Sequence, residues 1–271
     1  MEIKTLEEKC KELRIDVLKM INRAGSGHPG GSLSMMEILV ALYYEKMRIY
    51  PENPNSKIRD RFVLSKGHGA PAIYAILADK GYFPKEELNG FRTLHSPLQG
   101  HPDKKKLRGI DASTGSLGQG VSVATGMALG AKLLDNDVQV YTVLGDGELQ
   151  EGQVWEAAMA AAHYKLDNLT VIIDNNGLQI DGPIEEIMDV GNIVSKYKAF
   201  GFEVIEVLDG NNIEKILEAL NTEVKNKPKC IVAHTVKGKG VSFMENQVNW
   251  HGRALNHKEL EIALKELGQE G

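Results

Sequence analysis

The second half of the chain alternates strand-like and helix-like segments, and this alternation limits the folds that the chain can adopt. Short apolar runs at 138–144 and 169–173 enclose a helical pattern at 153–164. Strands that alternate with helices at this spacing indicate a mostly parallel sheet covered by helices on both faces. We therefore predict an α/β fold with a single domain over residues 1–271. The other elements predicted in this half are a helix of small residues at 118–134, strands at 203–208 and 230–233, and a helix with Asn211 and Glu214 at its start.

The first half of the chain is predicted to be mainly helical. Thr5 with Glu8, and Ser34 with Glu37, have the spacing of helix N-terminal capping boxes. They predict helices at 5–24 and 34–46, and further helices are predicted at 70–80 and 85–90. A short apolar strand is predicted at 62–64. Residues 91–116 show little periodicity, and so long an irregular segment in a compact domain is usually functional.

The composition narrows the class of protein. The 271 residues include 32 Lys+Arg and 37 Asp+Glu, a formal net charge of −5, which argues against a nucleic-acid-binding surface as the main function. Only two cysteines are present, Cys10 and Cys230, too few for a disulfide framework or a thiolate metal cluster. The N-terminal segment lacks the pattern of a signal peptide, and no apolar run reaches the roughly 20 residues that cross a bilayer. We therefore expect a cytoplasmic protein.

Polar residues follow two of the predicted strands at the point where each strand ends. Gly145-Asp146-Gly147 follows one strand and Asn175-Asn176 follows the next, with one helical segment between them. Such a crossover joins neighbouring parallel strands, so the two strand ends should lie side by side. One carboxylate with amide oxygens suits Mg²⁺, which often takes further oxygens from phosphates. Each motif alone is more often a tight turn, but together in this context they predict a diphosphate bridged by Mg²⁺.

These two motifs together resemble the thiamine diphosphate binding motif of transketolases, deoxyxylulose-phosphate synthases and 2-oxo acid dehydrogenases. Other segments make the chain similar to the N-terminal half of the transketolase family in particular. They are Ser26-Gly27-His28-Pro29-Gly30, residues 61–68, Gly100-His101-Pro102, residues 114–120, and residues 145–152 with Glu151. The resemblance covers most of the chain. It implies the thiamine diphosphate-binding fold, with thiamine diphosphate and Mg²⁺ as cofactors.

The resemblance also implies a set of site residues and their roles. His68 and His251 would contact the cofactor diphosphate, and Leu117 would pack against its rings. His28 and His101 would hold the sugar hydroxyls and take part in proton transfer. The implied catalytic residues are His28, His101, His251 and Glu151; the cofactor-binding residues are His68, Gly115, Leu117, Gly147, Asn176 and His251; and the metal ligands are Asp146, Asn176 and the backbone carbonyl of Leu178.

Histidines outside this set are interpreted separately. A lone histidine more often hydrogen-bonds to the local backbone of a turn than binds a ligand. For His28, His68, His101 and His251, the shared motifs favour a ligand-binding role instead. His163 lies in a predicted helix and is expected to pack there. His95, His234 and His257 receive no assignment.

The resemblance implies that the chain is incomplete as an enzyme. The family's pyrimidine-binding domain, which carries the glutamate that activates the cofactor, and its C-terminal domain have no counterpart here. The chain is thus similar to the N-terminal subunit of a split transketolase, one that transfers a two-carbon ketol unit between sugar phosphates of the kind used in the pentose phosphate pathway. It would work with a C-terminal subunit in an α2β2 assembly. Glu151 would lie near the subunit interface and would not replace the activating glutamate.

Two departures from the family pattern keep alternatives open. Lys237-Gly238-Lys239-Gly240 is closer to the form in deoxyxylulose-phosphate synthases, and Arg253 stands where proline or alanine is usual. A synthase-like or other 2-oxo acid-decarboxylating enzyme is one alternative, and a non-catalytic scaffolding subunit is another. The small-residue helix at 118–134 has room for another helix, from this domain or from a partner. Lys104-Lys105-Lys106 with Arg108 could meet a sugar phosphate, although such a run is more often a solvated loop.

Overall fold

A computed structural model of the chain describes residues 1–269, and its centre is a five-stranded parallel sheet. The strands lie in the order β1-β2-β3-β5-β4, and every neighbouring pair is parallel. The predicted α/β fold with a parallel sheet is confirmed. The strands are β1 (Arg61–Leu64), β2 (Val140–Gly145), β3 (Leu169–Asn175), β4 (Glu203–Val207) and β5 (Lys229–His234).

Helices cover both faces of the sheet and connect its strands. Short 3₁₀ helices occupy Gly67–Gly69, Lys85–Gly90, Gly147–Gln150 and Val248–Trp250, and a one-turn π-helix occupies Leu42–Lys46. The α-helices are α1 (Ile3–Ala24), α2 (Pro29–Ser34), α3 (Met36–Ala41), α4 (Ala70–Asp79), α5 (Gln119–Leu133), α6 (Gly152–His163), α7 (Ile184–Ile187), α8 (Ile193–Ala199), α9 (Ile213–Asn221) and α10 (His257–Glu266). In residues 1–269 none of the helices has the length and apolar character needed to cross a bilayer.

Two hydrophobic cores lie on opposite faces of the sheet. Tyr141 and Val143 of β2 belong to the core that includes α1, α3 and α4. Val140 and Leu144 of the same strand belong to the core that includes α5 and α6. Successive side chains of a strand point to opposite faces, so a strand buried on both faces is apolar throughout. This is why β2 and β3 could be recognised as continuous apolar runs.

Neither predicted capping box forms. α1 begins at Ile3, which places Thr5 inside the helix, and Glu2 at the N-cap makes no side-chain capping bond. Ser34 is the last residue of α2, and its Oγ donates to Asp174 Oδ2 at 2.6 Å. Glu37 accepts two hydrogen bonds of 2.7 Å from the buried Arg14 guanidinium. The second box is wrong because its side chains have partners far away in sequence.

Three smaller predictions also differ from the structure. Asn212 rather than Asn211 caps α9, by accepting from the backbone N–H of Lys215 at 3.2 Å. Asn211 instead donates to Ser34 O and Glu37 Oε2. The segment 85–90 is a 3₁₀ helix rather than an α-helix, and His163 is exposed rather than packed.

The small-residue helix α5 has a packed face and an open face. Gly120, Ala124 and Ala128 are buried, and α5 contacts α6, β1 and β2. A Cβ atom added at Gly126 or Gly130 would have nothing within 4 Å. The small residues therefore serve close packing within the domain on one side and leave the other side open.

Candidate active site

The carboxyl ends of β2 and β3 lie side by side, as predicted. Gly145 pairs with Asp174 at the last position of the β2–β3 register. Asp146, directly after β2, is 3% exposed. Its Oδ1 accepts from the backbone N–H of Gly147 at 2.8 Å and its Oδ2 from that of Gly177 at 2.5 Å. The carboxylate of Asp146 thus contacts the residue that directly follows Asn176.

Burial makes the charge of Asp146 costly. Desolvation raises the pKa of this carboxyl to about 6, against the opposing effect of the Gly177 and Gly147 N–H groups. A buried carboxylate with no basic side chain hydrogen-bonded to it among residues 1–269 gains from a nearby cation. The same described residues contain no cluster of three or more His, Cys, Asp or Glu suited to a metal ion. A cation here would therefore take amide and carbonyl oxygens beside this one carboxylate.

Asn176, Leu178 and Lys237 form the adjoining wall. Asn176 Oδ1 accepts from the backbone N–H of Leu178 at 3.2 Å. The carbonyl oxygen of Leu178 accepts from Lys237 Nζ at 3.0 Å, and the same Nζ lies 3.0 Å from His251 Nδ1. Burial, followed by the charge of Lys66, lowers the pKa of Lys237 to about 8. A buried ammonium group is thus held where an anion can reach it.

Lys66 and Asp174 form a buried ion pair beside Asp146 and Lys237. Lys66 Nζ lies 2.5 Å from Asp174 Oδ2 and donates to Gly31 O at 2.9 Å. Asp174 is fully buried and also accepts from the hydroxyls of Ser34 and Thr235. Its oxygens are therefore satisfied, and the pair fixes α2 and the end of β3 relative to each other.

The four histidines of the glycine-rich motifs form one cluster. The ring centroid of His28 lies 5.3 Å from that of His68, 5.5 Å from that of His251 and 6.4 Å from that of His101. Burial lowers the pKa of His28 to about 4 and of His251 to about 3, with further lowering by Arg92 and Lys237 respectively. The pKa values of His68 and His101 are also lowered, first by burial. All four imidazoles are therefore neutral near pH 7.

Several buried polar atoms beside the histidines have no hydrogen-bond partner among the described residues. They are Nδ1 of His28, Nε of Arg92 and Oγ1 of Thr114. Arg92 has a positive φ of 58° and donates to Ser26 Oγ at 2.9 Å. Unpaired buried polar atoms are costly unless a ligand or water satisfies them. The histidine cluster is thus lined with groups that can bind a polar ligand.

Glu148 holds together three segments around the cavity. Its carboxylate accepts from Ser65 Oγ at 2.5 Å, from Gly118 N at 2.9 Å and from Gly145 N at 3.2 Å. Gly118 has a φ of +79°, and a Cβ atom there would lie 2.8 Å from Glu151 Cβ. Only glycine fits this position without strain. The turn that carries Leu117 is therefore fixed from both sides.

A cavity of about 300 Å³ lies between the Asp146 wall, Lys66, Lys237 and the histidine cluster. His101 lies beside the cavity, and a Cβ atom at Gly115 would be 3.0 Å from its ring. Glu151 is exposed at the rim, as is Asp181. The predicted site residues that line the cavity are His28, His68, Gly115, Leu117, Asp146, Gly147, Glu151, Asn176, Leu178 and His251.

Some residues of the site were not identified from the sequence. Lys66 and Lys237 were seen only as parts of motifs, and Glu148, Asp174 and Asp181 received no role. A single lysine in a motif gives no sign of its partner, because Lys66 and Asp174 are 108 positions apart. The sequence did contain a clue to Glu148. An acid three residues after the end of a buried strand is expected to be buried, and a buried carboxylate needs hydrogen-bond donors.

The two departures from the family pattern have structural explanations. Arg253 lies over the ring of Trp250, 4.2 Å from its centroid, and pairs with Glu259 in the first turn of α10. In the lysine-glycine segment, Gly238 has a φ of +77° and donates its N–H to Gly30 O at 3.0 Å. The Gly238 hydrogen bond thus anchors the loop between β5 and α10 on the His28 motif, and Arg253 ties the end of that loop to α10.

Comparison with known proteins identifies the family of the chain. The family described as transketolase, thiamine diphosphate binding domain, matches residues 6–271. The chain belongs to this family. The resemblance found in the sequence, the predicted thiamine diphosphate-binding fold and thiamine diphosphate as cofactor are thereby confirmed. The match also favours transketolase over the synthase-like alternative.

Separate transketolase subunits match the chain from end to end. A 6-deoxy-6-sulfo-D-fructose transketolase subunit of Clostridium sp. (strain MSTE9) is 44% identical over 98% of this chain and 97% of its own length. An apulose-4-phosphate transketolase subunit of Phocaeicola vulgatus is 40% identical over 99% of this chain and 96% of its own length. The prediction that this chain corresponds to the N-terminal subunit of a split transketolase agrees with these matches.

Longer transketolases contain the same fold as one part. The crystal structure of transketolase from Campylobacter jejuni superposes with a TM-score of 0.95 at 36% identity, covering all of this chain and 44% of that one. Human transketolase is 40% identical over 98% of this chain and 42% of its own length. The chain thus spans about two fifths of these longer relatives.

Proposed function

We propose that this chain is the diphosphate-binding subunit of a two-chain transketolase that uses thiamine diphosphate and Mg²⁺. It transfers a two-carbon ketol unit from a ketose phosphate to an aldose phosphate, together with a C-terminal subunit that carries the pyrimidine-binding domain. The observation that carries this proposal is that Asp146, Asn176, Leu178 and three of the four clustered histidines line one cavity. Residues 1–271 act as one domain in a cytoplasmic α2β2 assembly.

The residues present fit the diphosphate end of the cofactor. Asp146 is a buried carboxylate that needs a cation, and Asn176 and Leu178 line the same cavity with amide and carbonyl oxygens. Lys237 supplies positive charge for the phosphate oxygens, and His68 supplies a hydrogen-bond donor. At about 300 Å³ the cavity lies at the lower end of the range for cofactor pockets. It therefore suits part of the cofactor, and the partner chain would cover the remainder.

The chain's own residues bind, orient and move protons in the proposed reaction. Bound thiamine diphosphate supplies the nucleophilic carbon that allows a carbon–carbon bond beside a ketone to be broken and remade. When the donor sugar is cleaved, one of its hydroxyl groups becomes an aldehyde and must release a proton. The neutral imidazole of His28, with an unpartnered Nδ1, can accept that proton, and His101 can hold a neighbouring hydroxyl. The same groups return a proton when the new carbon–carbon bond forms at the acceptor aldehyde and the aldehyde oxygen becomes a hydroxyl.

Activation of the cofactor is assigned to the partner chain. Asp146 and Glu148 are occupied by backbone N–H groups, and Asp174 by Lys66 and two hydroxyls. Glu151 and Asp181 are exposed at the cavity rim. The carboxylate of the pyrimidine-binding domain then completes the site. A scaffolding role is disfavoured because every site residue expected from the family motif is present and most line one cavity.

The proposal is tested by ketol transfer measured with xylulose 5-phosphate and ribose 5-phosphate, thiamine diphosphate and Mg²⁺. The chain alone should give no turnover, and addition of the pyrimidine-binding chain should restore it. Pyruvate tested under the same conditions should give no decarboxylation. Turnover by the purified chain alone, or decarboxylation of pyruvate by the pair, would contradict the assignment.

A further inference from the structure

A second and larger cavity lies at the opposite end of the sheet from the cofactor site. Its volume is about 650 Å³, about twice that of the cofactor cavity. Arg61 at the start of β1 and Val138, two residues before β2, line it, so it lies at the amino ends of these strands. The loop 104–111 forms one wall and the second half of α5 forms another. We call this cavity the basic groove.

The basic groove is lined by many cations and one acid. Five exposed basic residues, namely Lys57, Lys104, Lys105, Lys106 and Arg108, line it, and within residues 1–269 none of them has a carboxylate partner within 4.0 Å. Asp111 is the acidic residue of the lining, and it is buried. It accepts bidentately from Arg59 at 2.6 and 2.9 Å and from the backbone N–H of Phe62 at 2.9 Å. The charge of Asp111 is therefore already neutralised.

Three acidic residues near the groove are paired or hydrogen-bonded, whereas Asp135, between the lining residues Leu134 and Asn136, is exposed. Asp60 and Asp137 both pair with Arg48, at 2.9 and 2.7 Å. Asp103 accepts from the backbone N–H of Lys105 and from Ser113 Oγ. The whole chain has a formal net charge of −5, so this concentration of positive charge runs against the overall balance. Such a field attracts a multiply charged anion.

One wall of the groove is mainly apolar. Met127, Ala131 and Leu134 of the α5 region line it, with Leu134 80% exposed, and Ile110 lines it from the loop. A cationic rim beside an apolar wall is the composition of a site for a small molecule that has both phosphates and a less polar body. The volume lies within the range for such ligands.

The loop that walls the groove begins and ends at the histidine cluster. It leaves the site at Pro102 and returns at Thr114, whose N–H donates to the carbonyl of Pro102 at 3.2 Å. His101 precedes it and Gly115, which is packed against the His101 ring, follows it. A ligand bound to residues 104–108 therefore contacts a segment that ends next to Gly115, a lining residue of the cofactor cavity.

We propose that the basic groove is a second binding site, for a small molecule that carries two or more phosphate groups. The lysines and arginines bind the phosphates, and the apolar wall contacts the remainder of the ligand. Binding in the groove does not depend on which reaction the cofactor site catalyses.

Titration calorimetry tests the site on the purified chain, assembled with its partner chain in saturating thiamine diphosphate and Mg²⁺. The probes are inorganic tripolyphosphate, ATP, fructose 1,6-bisphosphate and orthophosphate. The first three should bind at one saturable site, and orthophosphate should bind much more weakly. ATP binding tighter than tripolyphosphate would identify a nucleotide that uses the apolar wall, whereas preference for the bisphosphate would identify a phosphorylated sugar.

Matched triple variants separate this site from general charge effects. Lys57→Gln with Lys105→Gln and Arg108→Gln removes three groove charges at exposed positions without side-chain hydrogen bonds among the described residues. Lys198→Gln with Lys215→Gln and Arg23→Gln removes the same charge at exposed positions elsewhere. The groove variant should lose at least about tenfold in affinity for the multiply charged probes, and the control less than twofold.

Three results would overturn the proposal. The first is absence of saturable binding by tripolyphosphate, ATP and the bisphosphate. The second is an equal loss of affinity in both triple variants. The third is a groove variant that keeps its affinity for these probes but associates more weakly with the partner chain or with nucleic acid, since the groove would then be an interface with a macromolecule.

Discussion

The ammonium group of Lys237 is placed to bind an anion in the cofactor cavity. Its Nζ lies 3.0 Å from both the Leu178 carbonyl oxygen and His251 Nδ1, and the side chain is almost fully buried. We predict that Lys237→Met lowers the affinity for thiamine diphosphate in the presence of Mg²⁺ by at least about tenfold, because a charge-assisted hydrogen bond to phosphate is lost. Titration calorimetry measures this.

Lys239→Met is the matched control for that variant. Lys239 is two residues away in the same loop, is partly exposed and pairs with Glu245 at 3.4 Å. Its substitution should change the affinity less than twofold. Equal affinities of the Lys237→Met variant and the unsubstituted chain would remove Lys237 from the cofactor site.

The lowered pKa of His28 predicts how the stability of the ligand-free chain depends on pH. Burial and Arg92 lower its pKa to about 4, whereas in the unfolded chain the pKa is about 6.5. Between about pH 6.5 and pH 4 the unfolded state therefore binds a proton that the folded state does not, and the free energy of unfolding falls as the pH falls. His28→Gln should make this fall smaller.

Urea unfolding at pH 7.5 and pH 5 measures the effect, and His163→Gln, at an exposed histidine, is the control. The control should show the same pH dependence as the unsubstituted chain. If both variants changed the pH dependence equally, His28 would not be the titrating group.

The sequence was most informative where a polar residue stands in a motif of its own. Asp146, Asn176 and the four clustered histidines each lie next to a glycine or directly after a strand, so each could be proposed as a site residue from its own motif. Lys66 with Asp174, and Arg14 with Glu37, could not, because such a pair exists only once distant segments fold together. The second capping box was wrongly predicted for the same reason, since Ser34 and Glu37 bond to Asp174 and Arg14.

At the scale of the elements, the backbone conformation of the turn before α5 positions Leu117 at the cofactor cavity. Gly118, at the N-cap of α5, has a φ of +79°, and a Cβ there would clash with Glu151. Gly118→Ala should lower the free energy of unfolding by at least about 1 kcal/mol and weaken thiamine diphosphate binding, because the Leu117 turn must shift. Chemical denaturation and calorimetry measure the two effects.

Gly126→Ala is the control in the same helix. Gly126 lies inside α5 with open space around it, so alanine there should raise the free energy of unfolding by about 0.5–1 kcal/mol without affecting binding. A Gly118→Ala variant as stable as Gly126→Ala would show that the turn is not fixed as described.

The parallel strands were the elements best predicted from the sequence. β2 and β3 are mainly apolar on both faces because helices cover both faces of the sheet. Their sequences therefore read as apolar runs, without the alternation of polar and apolar residues seen in half-exposed strands. The ends of helices were predicted less well. α9 is capped by Asn212 rather than Asn211 because Asn211 is drawn to Ser34 and Glu37, a contact that no local pattern contains.

For the whole molecule, the sheet separates two kinds of surface. The cofactor cavity lies at the carboxyl ends of the strands, where α/β proteins commonly bind ligands, and the basic groove lies at their amino ends. The first location was predicted from the polar motifs that follow two consecutive strands joined by one helical crossover. The second could not be predicted, because the groove depends on the path of an irregular loop that returns to the site it left.

The central claim is that the adjoining ends of β2 and β3 bind the diphosphate of the cofactor through a divalent cation. Calorimetric titration of the chain with thiamine diphosphate, in Mg²⁺ and in EDTA, tests it most directly, with Asp146→Asn as the variant and Asp209→Asn as the control. We predict binding in Mg²⁺, its loss in EDTA, at least about a hundredfold weaker binding by Asp146→Asn, and an unchanged control. Binding of equal strength in Mg²⁺ and EDTA, or full affinity in the Asp146→Asn variant, would contradict the account.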